Sequence, residues 1–544
     1  MALDAKDRAF RYDGISRVDY KSLNMDRVLT AFLGRLNWSG APSVMSRASD
    51  LNVDDYTWIL LNDVERFRGF GDDEDVTRRW VSTHLLDLVN RGRSTEQVAG
   101  PRPLHGYAYR LRNSRRSRPY GADEQLYEML SAKQPAIDAL RNFFFTEQAG
   151  ADAGGAADID VESQALLSMV EATKNQAKDR GEPATRKPLQ MLCRQPAETM
   201  ADDVMRLLLH RHFMPRTVLV EHLKVLLSFH LALYHLRMIK LVPRAVREAG
   251  VSPSCTRGHP RGETCPYAVN LFADVVGDPM SPVAMLANRS ASVWYGRVPQ
   301  FVRGTFALLK LADFAEDLRR RNKPLPGTGR SELAAVDVAS LLTKKYERER
   351  EGFFDMRVRR ILDDEEKDQP LGPELKTILD LGLNSFDTYL ELIMHYRGRF
   401  QRKYLMECLD SLLMKGRPGQ LVAQPRGTRA ERRFVLDSRL LEVLLQVSLV
   451  RPDERGVTRT HPMRVDEVLA VLRNRYGIFI DELPSADGFE GADLADQAVL
   501  RTNGVAFVDR LREIGYYRDL SDAYLTQTVT PRYVIGSPIE GSSR

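Results

Sequence analysis

Three soft or borderline metal ligands fall inside one turn-rich stretch. Pro253 to Tyr267 reads PSCTRGHPRGETCPY and carries Cys255, His259 and Cys265. Zinc takes four such ligands in a tetrahedron, and a short loop rich in Gly and Pro can wrap them round the ion. The local spacing supplies three, so a fourth has to arrive through the fold; Cys193 and His235 are the candidates. With no general-base pattern nearby, the expected cofactor of a loaded loop is structural zinc. The competing reading is a surface loop with two free thiols and a solvated imidazole.

A second constellation is cationic. Tyr109 to Tyr120 reads YRLRNSRRSRPY and brings Arg110, Arg112, Arg115, Arg116 and Arg118 together with Tyr107, Tyr109 and Tyr120. Guanidinium forks match phosphate oxygens and neighbouring rings can stack on bases, so these five arginines are the candidate nucleic-acid-binding residues. A solvated loop, or a contact with an acidic protein surface, would use the same charges.

Other chemistry is incompletely specified. His210, His212, His222, His230 and His235 cluster in sequence, yet none of them is spaced by the three or four residues that bring two rings onto one helical face, and they read as core or edge histidines. PGTGRS, ending at Ser331, resembles the end of a phosphate loop, but Pro324 stands where the first glycine belongs and Arg330 replaces the lysine. The acidic run Asp72 to Asp75 directly precedes a helical pattern, where negative charge suits the helix dipole. No GxSxG elbow and no kinase-type set of loops occurs. The chain is therefore expected not to be an enzyme, and no small-molecule substrate is evident.

The elements that must hold these residues are mainly helical. A length of 544 residues exceeds what one core supports, and 43% apolar with 28% charged residues is the balance of a globular chain that can build several. Four cysteines and an N-terminus without a basic-then-apolar layout lead to the expectation of a reducing compartment and cytoplasmic localisation. The most apolar stretch, Val218 to Val242, contains Glu221, His222, Lys224, His230, His235, Arg237 and Lys240, too many polar groups for a membrane span; a buried helix and no membrane partner are expected. Net charge is only +5, but Arg91 to Gly121 carries eight arginines against Glu96 alone, and Gln401 to Arg433 carries eight basic residues against Glu407, Asp410 and Glu431. Positive charge is localised.

The expected fold class is mainly α, multi-helical and multi-domain. The linker-like AGADAGGAADID at 149–160 and the Pro, Gly and cation-rich stretch at 415–429 separate three regions. These are an N-terminal mainly helical domain with the basic loop over 1–147, a central helical domain with the Cys/His loop over 159–415, and a C-terminal domain over 430–544. Ala201 to Glu248 is expected to form two helices split at Pro215, and further helical patterns occupy Asp123–Phe145, Pro299–Arg321, Glu332–Arg350 and Glu374–Leu413. In the last region, helical patterns over Leu436–Val450, Val465–Tyr476 (ended by Gly477) and Ala492–Ile514 (closed by Gly515) precede β-type runs at Tyr524–Thr530 and Tyr533–Ile535. Three helices and a small hairpin is the winged-helix order, which serves DNA reading or protein docking. The third helix mixes Arg501, Arg510 and Arg512 with Asp493, Asp496, Asp509 and Glu513, so docking is at least as well served as DNA reading.

In this region RNRYGIFIDELP, followed by REIGYYRDLSDAYLTQTVTPRYVI, resembles the end of the helical accessory subunit of bacterial methylation-associated antiphage defence systems. It is also distantly similar to the G-type subunit of phosphorothioation-dependent restriction. The resemblance implies a non-enzymatic partner of larger ATPase, methyltransferase or nuclease subunits. The expected function is a non-catalytic accessory or scaffold subunit of a restriction-like defence complex, touching DNA or other nucleic acid, or partner subunits. A stand-alone DNA-binding regulator and a divergent metal-dependent nuclease are the alternatives.

Overall fold

The apolar stretch of the sequence becomes the helix around which the others assemble. In the computed structural model, which describes residues 3–44, 52–87, 100–112, 118–145, 160–173, 191–250, 265, 267–327, 333–367, 370–425, 431–452, 457–490, 494–517 and 528–536, this helix runs Arg216–Arg247. Pro215, with fixed φ and no N–H, separates it from Gln195–Leu208 and a short 3-10 extension, as the sequence pattern predicts. Residues on nearly every face are buried, from Leu219 to Ala245. Among the described residues it is the helix long and apolar enough to cross a membrane, and 89% of its apolar window is covered by the protein itself.

The helices Gln195–Leu208, Val298–Arg320, Arg399–Leu412 and Ser438–Ser448 pack directly on this central helix. The approach of Val298–Arg320 depends on Gly304, where a Cβ would lie 3.1 Å from Val242 Cγ1 and 3.5 Å from Pro243 Cα. Any larger side chain would push the two helices apart.

N-terminal segments are tied to this assembly by buried charge. Asn24 caps Met25–Asn37 by accepting the N–H groups of Asp26 and Arg27, and that helix packs on Ala122–Leu130, where Arg35 Nε donates to Asp123 Oδ2 at 2.6 Å. Asp7, fully buried, accepts from the Tyr389 hydroxyl and the Arg360 guanidinium, while Lys310 Nζ donates to the Lys6 carbonyl at 2.5 Å. The first residues of the described chain are thereby pinned to Val298–Arg320, Glu347–Glu366 and Ser385–Ile393.

Asp203 makes the corresponding tie to the C-terminal region. It has no exposed surface; Oδ2 accepts from the Tyr476 hydroxyl at 2.9 Å and lies 3.0 Å from His230 Nε2, and Oδ1 accepts from Arg475, with Nε at 3.1 Å. Burial by itself would push the carboxyl pKa up, but the bond and charge of His230, together with Arg475, hold it below the ordinary range. Gly477 follows at φ 72°, where a Cβ would come within 1.7 Å of the Val269 carbonyl oxygen, so only glycine fits. The turn delivers Ile478–Phe479 into parallel pairing with Leu271–Phe272.

The described strands are two or three residues long. Met463–Arg464 pairs antiparallel with Thr528–Val529, Val422–Ala423 with Arg433–Phe434, and Val450–Pro452 with Thr458–Thr460. The mainly helical, multi-helical expectation holds, and Gly477 and Gly515, both at positive φ, close their helices where the sequence places the stops. Three patterns read as single runs are subdivided, among them Glu332–Arg350, where the extended Thr343 separates Ala335–Ala339 and its 3-10 turn from the helix Glu347–Glu366. Asp123–Phe145 is two helices, because Pro135 starts Gln134–Phe144 in its first turn; Glu374–Leu413 is interrupted where Asn384 caps Ser385–Ile393 by accepting the Asp387 N–H. Most buried apolar side chains between Leu3 and Val529 join one cluster, and Phe272, Val283, Leu286, Ala287 and Phe489 form a second.

The clustered histidines serve this interior. His210, His222, His230 and His235 are buried and His212 is exposed. His222 Nε2 lies 2.9 Å from Arg439 Nη1 and its Nδ1 2.9 Å from Gln446 Oε1; a guanidinium only donates, so Nε2 accepts and Nδ1 carries the proton. His235 Nδ1 donates to the Leu231 carbonyl at 2.7 Å, leaving Nε2 to accept from Ser16 Oγ at 3.0 Å. Burial pushes both pKa values down from 6.5 to about 4.

Two predictions follow from these buried groups. Asp203→Ala leaves the buried His230 and Tyr476 without their acceptor and removes the partner of half-buried Arg475, and should cost about 3 kcal/mol in urea denaturation, while a surface carboxylate substitution such as Asp355→Ala costs little. The two neutral histidines set an acid dependence. Between pH 6.5 and about 4 the unfolded chain binds protons that folded His222 and His235 refuse, so stability falls as pH falls, by about 2 kcal/mol per histidine near pH 5. Denaturation midpoints measured from neutral to acid pH check this, and His222→Gln, which removes one such group, should show a shallower acid slope.

Candidate functional site

The arginines of the basic run occupy different environments. Arg110 is half-buried with its guanidinium 4.6 Å over the Tyr107 ring. Arg112 is buried and donates Nη1 to Ser43 Oγ at 3.1 Å; burial and neighbouring Arg35 disfavour its charge, and Asp123 partly compensates. Arg118 is exposed. Arg115 and Arg116 lie outside the described residues. The structure therefore sets Arg110 and Arg118 nearer to solvent than Arg112, whose role is in packing.

Of the Cys/His loop, Cys255 and His259 lie outside the described residues and Cys265 is half-buried. Neither proposed fourth ligand is idle. Cys193 is buried, with Arg237 Nη1 donating to its Sγ at 3.4 Å, and His235 has both ring nitrogens engaged. Among the described residues no group of three or more His, Cys, Asp or Glu side chains converges as a metal site.

Two buried pairs have the atom types of catalytic machinery. Ser16 Oγ and His235 Nε2 stand 3.0 Å apart in nucleophile–base fashion, but each residue is 1% exposed and the Tyr20 ring lies edge-on against the imidazole. His230 and Asp203 form an imidazole–carboxylate pair whose remaining valences are taken by Arg475 and Tyr476. A nucleophile that meets no solvent meets no substrate, and these groups act as buried hydrogen-bonding hubs.

The open site is a cleft of about 440 Å³ between Arg399–Leu412 and the junction of Pro282–Gly296 with Val298–Arg320, lined by Tyr295, Pro299, Arg399, Arg402, Lys403 and Arg432 among others. Arg399, Arg402 and Lys403 stand at i, i+3 and i+4, so helical geometry puts all three on one face. Opposite them, Arg432 lies 4.7 Å over the Tyr295 ring and reaches Asp410 with Nε at 2.9 Å and Nη2 at 3.0 Å. Tyr295 donates its hydroxyl to the same carboxylate at 2.7 Å, and Lys415 donates to it as well. Burial would raise the Asp410 pKa, but bonds from Arg432, Lys415 and Tyr295 hold it low, so it stays an anion. One carboxylate thus balances two cations, leaving an excess of positive charge at the floor. At the rim Arg399, Arg402 and Lys403 are exposed; Lys403 pairs with Glu407 at 3.9 Å, and among the described residues Arg399 and Arg402 have no acidic partner within ion-pair distance.

Sequence reasoning marked the net charge of 401–433 but chose no residues there. The usable signal was the i, i+3, i+4 spacing of Arg399, Arg402 and Lys403 in an otherwise amphipathic helix; the contributions of Tyr295 and Asp410 come from tertiary contact alone.

The division of the basic run is testable by stability. Arg112→Ala should destabilise the protein by about 1–3 kcal/mol through the lost packing and the unpaired Ser43 environment, whereas Arg118→Ala should stay within about 0.5 kcal/mol. Thermal and urea unfolding of the two variants distinguish these outcomes.

No curated protein matches the chain. A family model described as methylation-associated defense system protein MAD7 matches residues 5–533, so the resemblance carried by the C-terminal segments extends over nearly the whole sequence, and the chain belongs to that family.

Proposed function

We propose that this protein is a non-catalytic accessory subunit of a methylation-associated defence system, holding partner subunits on a helical scaffold and presenting basic surfaces to nucleic acid or to those partners. The observation that carries this reading is the partition of polar chemistry. Two pairs with catalytic atom types, Ser16 with His235 and Asp203 with His230, are spent inside the core, while a solvent-facing cleft gathers Arg399, Arg402, Lys403 and Arg432 around one lining carboxylate, Glu407. Membership of a defence-system family supports work alongside other components.

A winged-helix-like C-terminal module fits the same role. In its favour is the order Ser438–Ser448, Met463–Arg464, Val465–Val471, Leu494–Glu513, Thr528–Val529, with the strand before the second helix paired to the strand after the third. In the third helix Arg510 donates to Ser438 Oγ and the Val275 carbonyl, and Arg512 pairs with Asp509, so these cations are turned to intramolecular bonds, which favours docking over base reading.

Affinity purification of the tagged full-length chain from cells carrying the whole defence system tests the proposal. Other system components should be retained, and the purified chain alone should neither hydrolyse ATP nor cut DNA with magnesium or manganese. Turnover abolished by a single carboxylate substitution would replace the proposal with a nuclease or hydrolase, and full defence without any retained component would replace it with a stand-alone regulator.

A further inference from the structure

The cleft is specified more finely than a general basic surface. Its helix presents Arg399, Arg402 and Lys403 within about one turn, roughly 5.4 Å of rise, so successive cations can meet successive acidic groups of an extended ligand. Beside them the ring of Phe400 is 53% exposed. It sits three residues before Lys403, hence on the adjoining strip of the same helix, and Arg397 lies 5.8 Å from its ring centroid. A bare ring bordered by cations is the pairing with which proteins hold unstacked bases, since every base has a π-face and every linkage a phosphate. An acidic peptide would use the ring only by placing an apolar side chain at the matching spacing, whereas every nucleotide of a single strand offers both a phosphate and a π-face; duplex DNA keeps its bases stacked inside and would leave the ring without a role.

The opposite wall is already set. Arg432 is held between the Tyr295 ring and Asp410, and Asp410 is itself fixed by Tyr295 and Lys415, so a ligand meets a cation whose ordering has been completed during folding. Met406, Val298 and Pro299 add apolar surface to the lining, Glu407 adds one carboxylate paired with Lys403, and Phe400 stands beside the lining on the same helix.

We propose that this cleft binds single-stranded nucleic acid, with its phosphates on Arg399, Arg402, Lys403 and Arg432 and a base stacked on Phe400. The proposal goes beyond the accessory-subunit reading and does not depend on it. A scaffold could lack the strand site, and the strand site could belong to a protein of another role.

The test measures fluorescence anisotropy of a labelled oligothymidylate of about 16 nucleotides, and of a duplex of equal length, against the full-length protein over a series of salt concentrations. The wild type should bind the single strand more tightly than the duplex. Combined Arg399→Ala, Arg402→Ala and Lys403→Ala should lower single-strand affinity at least about tenfold and reduce the slope of log affinity against log salt by roughly 2, near 0.7 per lost phosphate contact. Phe400→Ala should cost roughly 5- to 100-fold on the single strand and little on the duplex. A control pair, Arg359→Ala with Lys367→Ala, removes two exposed cations elsewhere and should change neither. Unfolding midpoints confirm that each variant is folded. Wild-type protein with no affinity for the oligonucleotide overturns the proposal, as does a triple variant of unchanged affinity. A triple variant that keeps its oligonucleotide but drops a protein partner in the purification also overturns it and assigns the cleft to docking, while the accessory-subunit reading stands.

Discussion

Three segments distant in sequence meet at the carboxylate of Asp203, and the arrangement of the C-terminal half follows from keeping that carboxylate charged without water. An isolated buried carboxylate is costly, so the folded state must bring donors to it. His230 comes from the central helix, and Arg475 and Tyr476 come from the end of the helix that begins at Val465. Once Tyr476 is placed, Gly477 turns the chain against the Val269 carbonyl and sets Ile478–Phe479 beside Leu271–Phe272. The helix Pro282–Gly296 packs on that strand pair, and Tyr295 near its end forms one wall of the cationic cleft. The cleft therefore inherits its geometry from a contact that it does not touch.

The same device recurs at the other end of the chain. Asp7 holds Tyr389 and Arg360, and Arg35 holds Asp123. Buried ion pairs and neutral histidines here act as locators. Their net contribution to stability is small while both partners are present and large when one is removed, which makes them selective for one arrangement of helices whose apolar faces alone would tolerate several. The Ser16–His235 pair belongs to this group despite its catalytic appearance: the hydroxyl and the imidazole satisfy one another because no water reaches them.

The two cation-rich windows illustrate how charge along a chain differs from charge on a surface. In the first, Arg112 turns inward to Ser43 while Arg118 meets solvent. In the second, Arg433 is buried against Asp274, Arg432 and Lys415 share Asp410, and Arg402 and Lys403 are left at the rim with Arg399, which precedes the window. Counting charges over a window overstates the field available to a ligand, because several of those cations are already committed to carboxylates of the same fold. The cleft stands out because its excess survives that pairing.

Helix content, the break at Pro215, the stops at Gly477 and Gly515, and the burial of the segment after Pro215 were all legible in the amino-acid sequence, because periodicity, proline geometry and left-handed glycine caps are energies of a few neighbouring residues. The family was legible too, as a resemblance carried by the segments around Gly477 and Gly515. What the tertiary structure alone decided was the fate of each polar group. Asp203 and Arg475, Asp7 and Arg360, and Tyr295 and Asp410 are separated by 272, 353 and 115 residues. No local pattern ties such partners together, since a charge is free or spent according to what the fold brings within about 4 Å of it, and that distance is set by the packing of whole helices.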